Sequence, residues 1–97
     1  MSLLGLAKKA GKVVSGDYAV KSAVKNREAK LLLVAGDTSN RAKKEYFYLA
    51  DSNDIPIIEV SCKSDLGLIV GKSLRAAVAV IDENFARAIL KKYTRDV

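Results

Sequence analysis

The sequence predicts an α/β layered domain with helices on both faces of a central sheet, and three observations predict it. The uninterrupted apolar runs Leu31–Ala35 and Ala76–Ile81 have the length and continuity of strands covered on both faces. Other segments, each about ten residues long, place apolar residues three and four apart, the spacing of helices with one inward face. The two patterns alternate along the chain, as layered α/β domains require.

Taken in order, Leu3, Leu4, Ala7 and Ala10 line one face of a first helix, which Gly11 can end. Val13 and Val14 form a very short extended piece. Asp17 is expected to cap a second helix, with Val20, Ala23 and Val24 inward and Lys21 and Lys25 outward. After the Leu31–Ala35 strand, Thr38 or Ser39 can start a third helix with the inner face Ala42, Tyr46, Leu49 and Ala50. Pro56 cannot sit inside that helix, so a strand through Ile57, Ile58 and Val60 follows it. A fourth helix over about 64–72 turns Leu66, Ile69 and Val70 inward. The Ala76–Ile81 strand precedes a last helix, capped by Asp82 and carrying Phe85, Ala86, Ile89, Leu90 and Tyr93. Leu32, Val34, Ile58, Val78 and Val80 are expected to be almost fully buried. The turns Val14-Ser-Gly-Asp17 and Val34-Ala-Gly-Asp37 echo one another, each with a glycine for the turn and an aspartate suited to capping a helix.

Ninety-seven residues are the length of a single domain, here residues 1–97. With 49% hydrophobic and 29% charged residues, the chain has enough apolar surface to offset its ordering, which excludes intrinsic disorder. No apolar run approaches the ~20 residues of a membrane helix, and Leu3, Leu4 and Leu6 precede Lys8 and Lys9, the reverse of a secretory signal. A cytoplasmic protein without membrane contact is expected. Cys62 is the only cysteine and there is no histidine, so an internal disulfide, a four-thiolate zinc site and histidine acid–base chemistry are all excluded. No cofactor or metal is expected.

Seventeen basic residues against eleven acidic leave a net charge of +6. The excess is uneven: +5 over residues 1–35, −2 over 36–62 and +3 over 63–97. Such a balance favours a polyanionic partner, because each neutralised phosphate releases a condensed counterion. Solubility charge is the competing reading. If one basic face exists, Lys12, Lys21, Lys72 and Arg75 should converge on the edge carrying Gly16 and Gly36, with Asp51, Asp54 and Glu59 elsewhere.

Gly71-Lys72-Ser73 invites a phosphate-loop reading but fails it. That motif needs four residues between its first glycine and the Gly-Lys-Ser triplet and must open a helix; Gly67 leaves only three, and the triplet ends a helix. Catalysis is equally poorly supported, since the carboxylates are scattered and Cys62 has no base to activate it. Nucleic-acid contact gains instead. Helix N-termini carry free N–H groups and partial positive charge. Two such ends, near Gly16-Asp17 and Gly36-Asp37, share a sheet edge if their strands run the same way. Lys72 and Arg75 precede the last strand and either flank those ends or are solvated loop charges.

The blocks Ala29-Lys30-Leu31 running on to Gly36-Asp37, then Ile55-Pro56-Ile57, then Leu66-Gly67-x-x-x-Gly71 and the final apolar strand, in this order, resemble the L7Ae/L30e/S12e/Gadd45 superfamily over about residues 2–90. The resemblance is greatest to the small bacterial L7Ae-like ribosomal proteins. It implies a three-layer α-β-α sandwich around a mixed four-stranded sheet. It also implies a non-catalytic binder of structured RNA, ribosomal or otherwise kink-turn-like, associated with the ribosome or translation; a monomer is expected. The RNA surface of that family maps onto Gly16, Asp17, Tyr18, Ala19, Lys21 and Ser22, onto Gly36 and Asp37, and onto Lys72, Leu74 and Arg75. Archaeal kink-turn binders carry Gly-x-Asn-Glu-x-x-Lys, whose polar side chains read sheared G·A pairs. Here the glycine is kept as Gly16, but Tyr18, Ala19 and Ser22 replace the other three. Lys21 points about 100° round the helix from Ser22. Tyr18 either stacks on an unpaired base or covers the helix start. The rival expectation is a protein-interaction scaffold on the same fold, and the two differ in salt dependence.

Overall fold

The computed structural model describes residues 2–94; Arg95 and Asp96, counted in the C-terminal charge excess, lie outside them. The elements in order are α1 (Leu3–Lys9), β1 (Val13–Ser15), α2 (Asp17–Lys25), β2 (Leu31–Ala35), α3 (Asn40–Ser52), β3 (Ile57–Val60), α4 (Lys63–Ile69), β4 (Ala77–Val80) and α5 (Glu83–Thr94). The strands form one mixed sheet in the order β1-β4-β2-β3. β2 and β3 are parallel, and β4 runs antiparallel to β1 and to β2. β1, β2 and β3 therefore all point the same way. Their C-terminal ends, with the start of β4 between them, make one edge of the sheet, called here the upper edge.

The apolar runs are continuous because the two central strands are covered twice. Leu31, Leu33 and Ala35 of β2 and Val78 and Val80 of β4 pack with α1, α4 and α5 residues such as Leu4, Leu66 and Ile89. Leu32 and Val34, with Ala77 and Ala79, face Val20 and Val24 of α2 and Tyr46 and Ala50 of α3. Every residue of β2 and β4 is at most 2% exposed. Alternation of side chains along each strand thus divides one apolar run between two cores, giving the three layers. Ile58 departs from expectation: it is only partly buried, because β3 is the outer strand and pairs with β2 alone.

Helix ends follow side-chain chemistry. Ser2 caps α1 by accepting the Gly5 N–H at 3.0 Å, Ser39 caps α3 by accepting that of Ala42 at 3.2 Å, and Asp82 accepts that of Phe85 at 2.9 Å. Thr38, the other candidate for the α3 start, is buried instead. α1, α2, α3 and α4 end in the same motif, in which the residue after the cap turns left-handed: Gly11, Arg27, Asp54 and Gly71. That turn stops α4 at Ile69, short of the expected residue 72. Tyr93 of α5 is half-exposed rather than part of the core.

Candidate nucleic-acid interface

Sheet topology assembles the upper edge. The Gly16 N–H donates to the Ala77 carbonyl (3.2 Å), the Ala35 N–H to that of Ala76 (2.8 Å), and the Gly36 N–H to those of Val60 and Ser61 (2.9 and 3.0 Å). The two Gly-Asp turns that echo each other in sequence therefore flank the start of β4. α2 and α3 both begin at this edge and turn their unpaired first-turn N–H groups and positive dipole ends towards it.

Gly16, not Asp17, occupies the cap position of α2, with φ 97° and ψ 156°. That backbone region is essentially closed to residues with a Cβ, so the turn depends on glycine. Asp17 is displaced into the first turn, where its carboxylate accepts the Tyr46 hydroxyl at 2.6 Å. This bond, more than the nearby Lys21, holds the Asp17 pKa below its usual value. Burial first, and Asp17 second, push the Tyr46 hydroxyl well above its own.

The loop before β4 supplies the other side of the edge. Gly67 makes this loop's path: a Cβ there would lie only 2.7 Å from the Ser73 carbonyl carbon, so residues 73–74 rest directly on the α4 backbone. Gly71-Lys72-Ser73 leads out of α4, as the failed phosphate-loop spacing requires. The Arg75 N–H donates to the Lys63 carbonyl at 3.1 Å, and its guanidinium donates to Ser15 Oγ (3.3 Å) and to the Leu74 carbonyl (2.7 Å). Arg75 therefore lies over the β1–α2 turn. Both its acceptors are neutral, so its full charge stays at the edge. Leu74 beside it is 56% exposed. Lys72 is exposed and without an ion pair among the described residues.

Tyr18, at the second position of α2, is 86% exposed. Ala19, in the same turn, and Ser22, one turn on, are half-buried. Lys21 is occupied: its ammonium lies 2.9 Å from Glu45 Oε1 and 3.3 Å from Asp17 Oδ1, and Glu45 chiefly raises its pKa. Asp37 does not cap α3, where Ser39 already sits. It reaches across the edge and accepts the Lys63 N–H at 2.8 Å, tying the β2–α3 turn to the start of α4.

Two charge expectations are corrected. Lys12 lies at the lower edge, where its carbonyl accepts the Ile81 N–H, four residues and roughly 13 Å of strand from Gly16. Glu59 is at the upper edge, because parallel register sets it beside Val34; it borders Gly36 and pairs with Lys43 at 3.2 Å. Asp51 and Asp54 do lie at the lower edge, at the end of α3. Tyr46 and Glu45 shape the site without being legible as site residues. Tyr46 carried a core signal, and its hydroxyl partner lies 29 residues away.

Residues 1–90 match the profile of the ribosomal protein L7Ae/L30e/S12e/Gadd45 family. The chain is 38% identical over 88 residues to the RNA-binding protein YlxQ of Bacillus subtilis, covering 91% of this chain and 88% of that one. It is 37% identical over 76 residues to the large ribosomal subunit protein eL8 of Picrophilus torridus, covering 76% of this chain and 59% of the relative. A solved structure of a protein of unknown function from Bacillus halodurans superposes with a TM-score of 0.86 at 32% identity, over 91% of this chain and 89% of that one.

Proposed function

The chain belongs to the ribosomal protein L7Ae/L30e/S12e/Gadd45 family, and from that premise we propose that it is a non-catalytic, cytoplasmic, monomeric protein that binds structured RNA on its upper edge. The observation that carries this reading is Arg75 lying over the Gly16 turn. A guanidinium and a helix N-terminus converge on one spot, each suited to a phosphate oxygen. The Bacillus subtilis relative is named an RNA-binding protein, and the Picrophilus torridus relative a ribosomal one, which supports a partner in RNA and a place in translation.

Exposed Tyr18 and Leu74 offer an aromatic face and an apolar contact beside these phosphate sites, which suits RNA with unstacked bases. Recognition of the sheared pairs of a kink-turn is blunted. Tyr18, Ala19 and Ser22 stand where kink-turn binders carry Asn, Glu and Lys, and Lys21 is held by Glu45 and Asp17. Each good polar contact to a base edge discriminates by about 1–3 kcal/mol, so three losses blur the preference for a kink-turn over a plain hairpin.

The test titrates a kink-turn and a plain hairpin at two salt concentrations. The wild type should bind both. Arg75→Ala should weaken both similarly and lower the salt slope by about one. Tyr18→Asn, Ala19→Glu and Ser22→Lys together should sharpen discrimination with little change for the hairpin. Strong kink-turn selectivity in the wild type would show that the substitutions do not blunt recognition. Absence of RNA binding at low salt would hand the surface to a protein partner.

A further inference from the structure

The outward face of α3 carries a row that the upper edge does not use. Arg41, Lys44 and Tyr48 stand at i, i+3 and i+7, so they lie along one side of the helix, about 10 Å from first to last. All three are exposed, and Tyr48 is 74% so. None of these side chains has a hydrogen bond or ion pair among the described residues. Their neighbours are committed elsewhere: Lys43 to Glu59, Glu45 to Lys21, Tyr46 to Asp17.

This row adjoins the edge on two sides. α3 starts there, so Arg41 and Lys44 fall within its first two turns. The Lys21–Glu45 pair joins α2 to α3 at the residue next to Lys44, one turn beyond Tyr18. The pair therefore sets the row on α3 beside the helix that carries Tyr18. Asp51, one turn beyond Tyr48 on the same side, closes the row at its lower end.

We propose that Arg41, Lys44 and Tyr48 form a second contact surface for RNA, a short track that takes a single-stranded segment leaving the structured RNA bound at the upper edge. The inference rests on the reading of that edge as an RNA site. Its chemistry is specific to single strands. Two unpaired cations meet backbone phosphates, and the exposed phenol ring offers a stacking platform that is indifferent to base identity. A duplex keeps its bases stacked on each other and cannot use Tyr48 this way. Phe47, one residue earlier and 40% exposed, lies about 100° round the helix from Tyr48, so Tyr48 is the ring that stands with the two cations. The negative charge of Asp51 sets where the strand must turn away.

The experiment compares a blunt hairpin with the same hairpin carrying a six-nucleotide single-stranded extension at its 5′ or its 3′ end, using the full-length chain. One of the extensions should tighten wild-type binding about tenfold, the scale of one base stacked on an aromatic ring. Tyr48→Ala should abolish that gain, Tyr48→Phe should keep it, and neither should alter binding of the blunt hairpin. Arg41→Ala with Lys44→Ala should lower the salt slope for the extended RNA by about 1.4, two single-strand phosphates at roughly 0.7 each. The proposal is overturned if neither extension adds affinity, or if the gain survives Tyr48→Ala, while Arg75-dependent binding of the blunt hairpin persists. If the hairpin itself fails to bind but the free hexanucleotide binds with Tyr48 dependence, the edge reading fails and this surface stands alone.

Discussion

The upper and lower edges of the sheet contrast in direction rather than in charge. The upper edge holds Lys21, Lys43, Lys63 and Arg75; the lower holds Lys12, Arg27, Lys30 and Arg87. What separates them is which helix ends they receive. α2 and α3 begin at the upper edge and present N–H groups. α1, α2 and α3 finish at the lower edge, in the left-handed turns at Gly11, Arg27 and Asp54. α5 begins there, but Asp82 caps its N-terminus and Glu83 stands in its first turn, so that end already has its negative charge. There, Lys8 and Lys9 in the last turn of α1 and Lys25 in that of α2 complement the negative ends of the dipoles. The groove at the lower edge, about 590 Å³, mixes Arg27, Lys30 and Arg87 with Asp54 and Glu83. Much of the N-terminal +5 excess is therefore helix-end chemistry and does not gather on one face. Counting cations does not locate a polyanion site; helix starts that gather at one edge do.

The largest effect should come from what both edges share. Leu33→Ala removes a fully buried side chain from the central strand and should cost about 2–4 kcal/mol in denaturant unfolding. RNA affinity of the folded fraction should be unchanged.

Gly67→Ala should cost about 1–3 kcal/mol by overpacking against Ser73, and it should weaken RNA binding because Arg75 rides on the displaced loop. Gly11→Ala at the lower edge should cost about 1–2 kcal/mol through its left-handed backbone, with RNA binding intact. Equal RNA effects from the two would abolish the contrast between the edges.

Tyr46→Phe should lower stability by about 1 kcal/mol and free the first turn of α2, which a drop in RNA affinity would register. Its pH dependence has a definite sign. The bond needs Asp17 ionised and Tyr46 protonated. Asp17 is shifted below 3.8, so its share of stability is present above 3.8 and lost as pH falls beneath it. Tyr46 is shifted above 10.0, so its share is present below 10.0 and lost as pH rises beyond it. The difference between wild type and Tyr46→Phe should be flat between these limits and shrink outside them.

Arg27→Gly should give the smallest change. Relief of the left-handed turn offsets the extra freedom glycine adds to the unfolded chain, leaving about 0.5 kcal/mol of stabilisation. RNA binding should not move, since Arg27 is at the lower edge.

The sequence by itself determined the elements, the two-faced burial of Leu31–Ala35 and of the last strand, the glycine turns at Gly16 and Gly36, and the family. These are local properties: periodicity reports which side chains leave water, and turn glycines mark either special backbone, as at Gly16, or a close approach, as at Gly36, where a Cβ would lie 2.7 Å from the Ser61 carbonyl oxygen. Tertiary structure alone decided the rest. Mixed strand order put the start of β4, and with it Arg75, between two turns far apart in the chain. It left Ile58 on an outer strand and carried Lys12 to the far edge, while parallel register brought Glu59 beside Gly36. Asp17 and Asp37, both suited to capping their own helices, were claimed instead by Tyr46 and Lys63. A short polar side chain bonds to whichever donor the fold brings nearest, and that donor is chosen by topology, which hydrophobic spacing along a single chain does not encode.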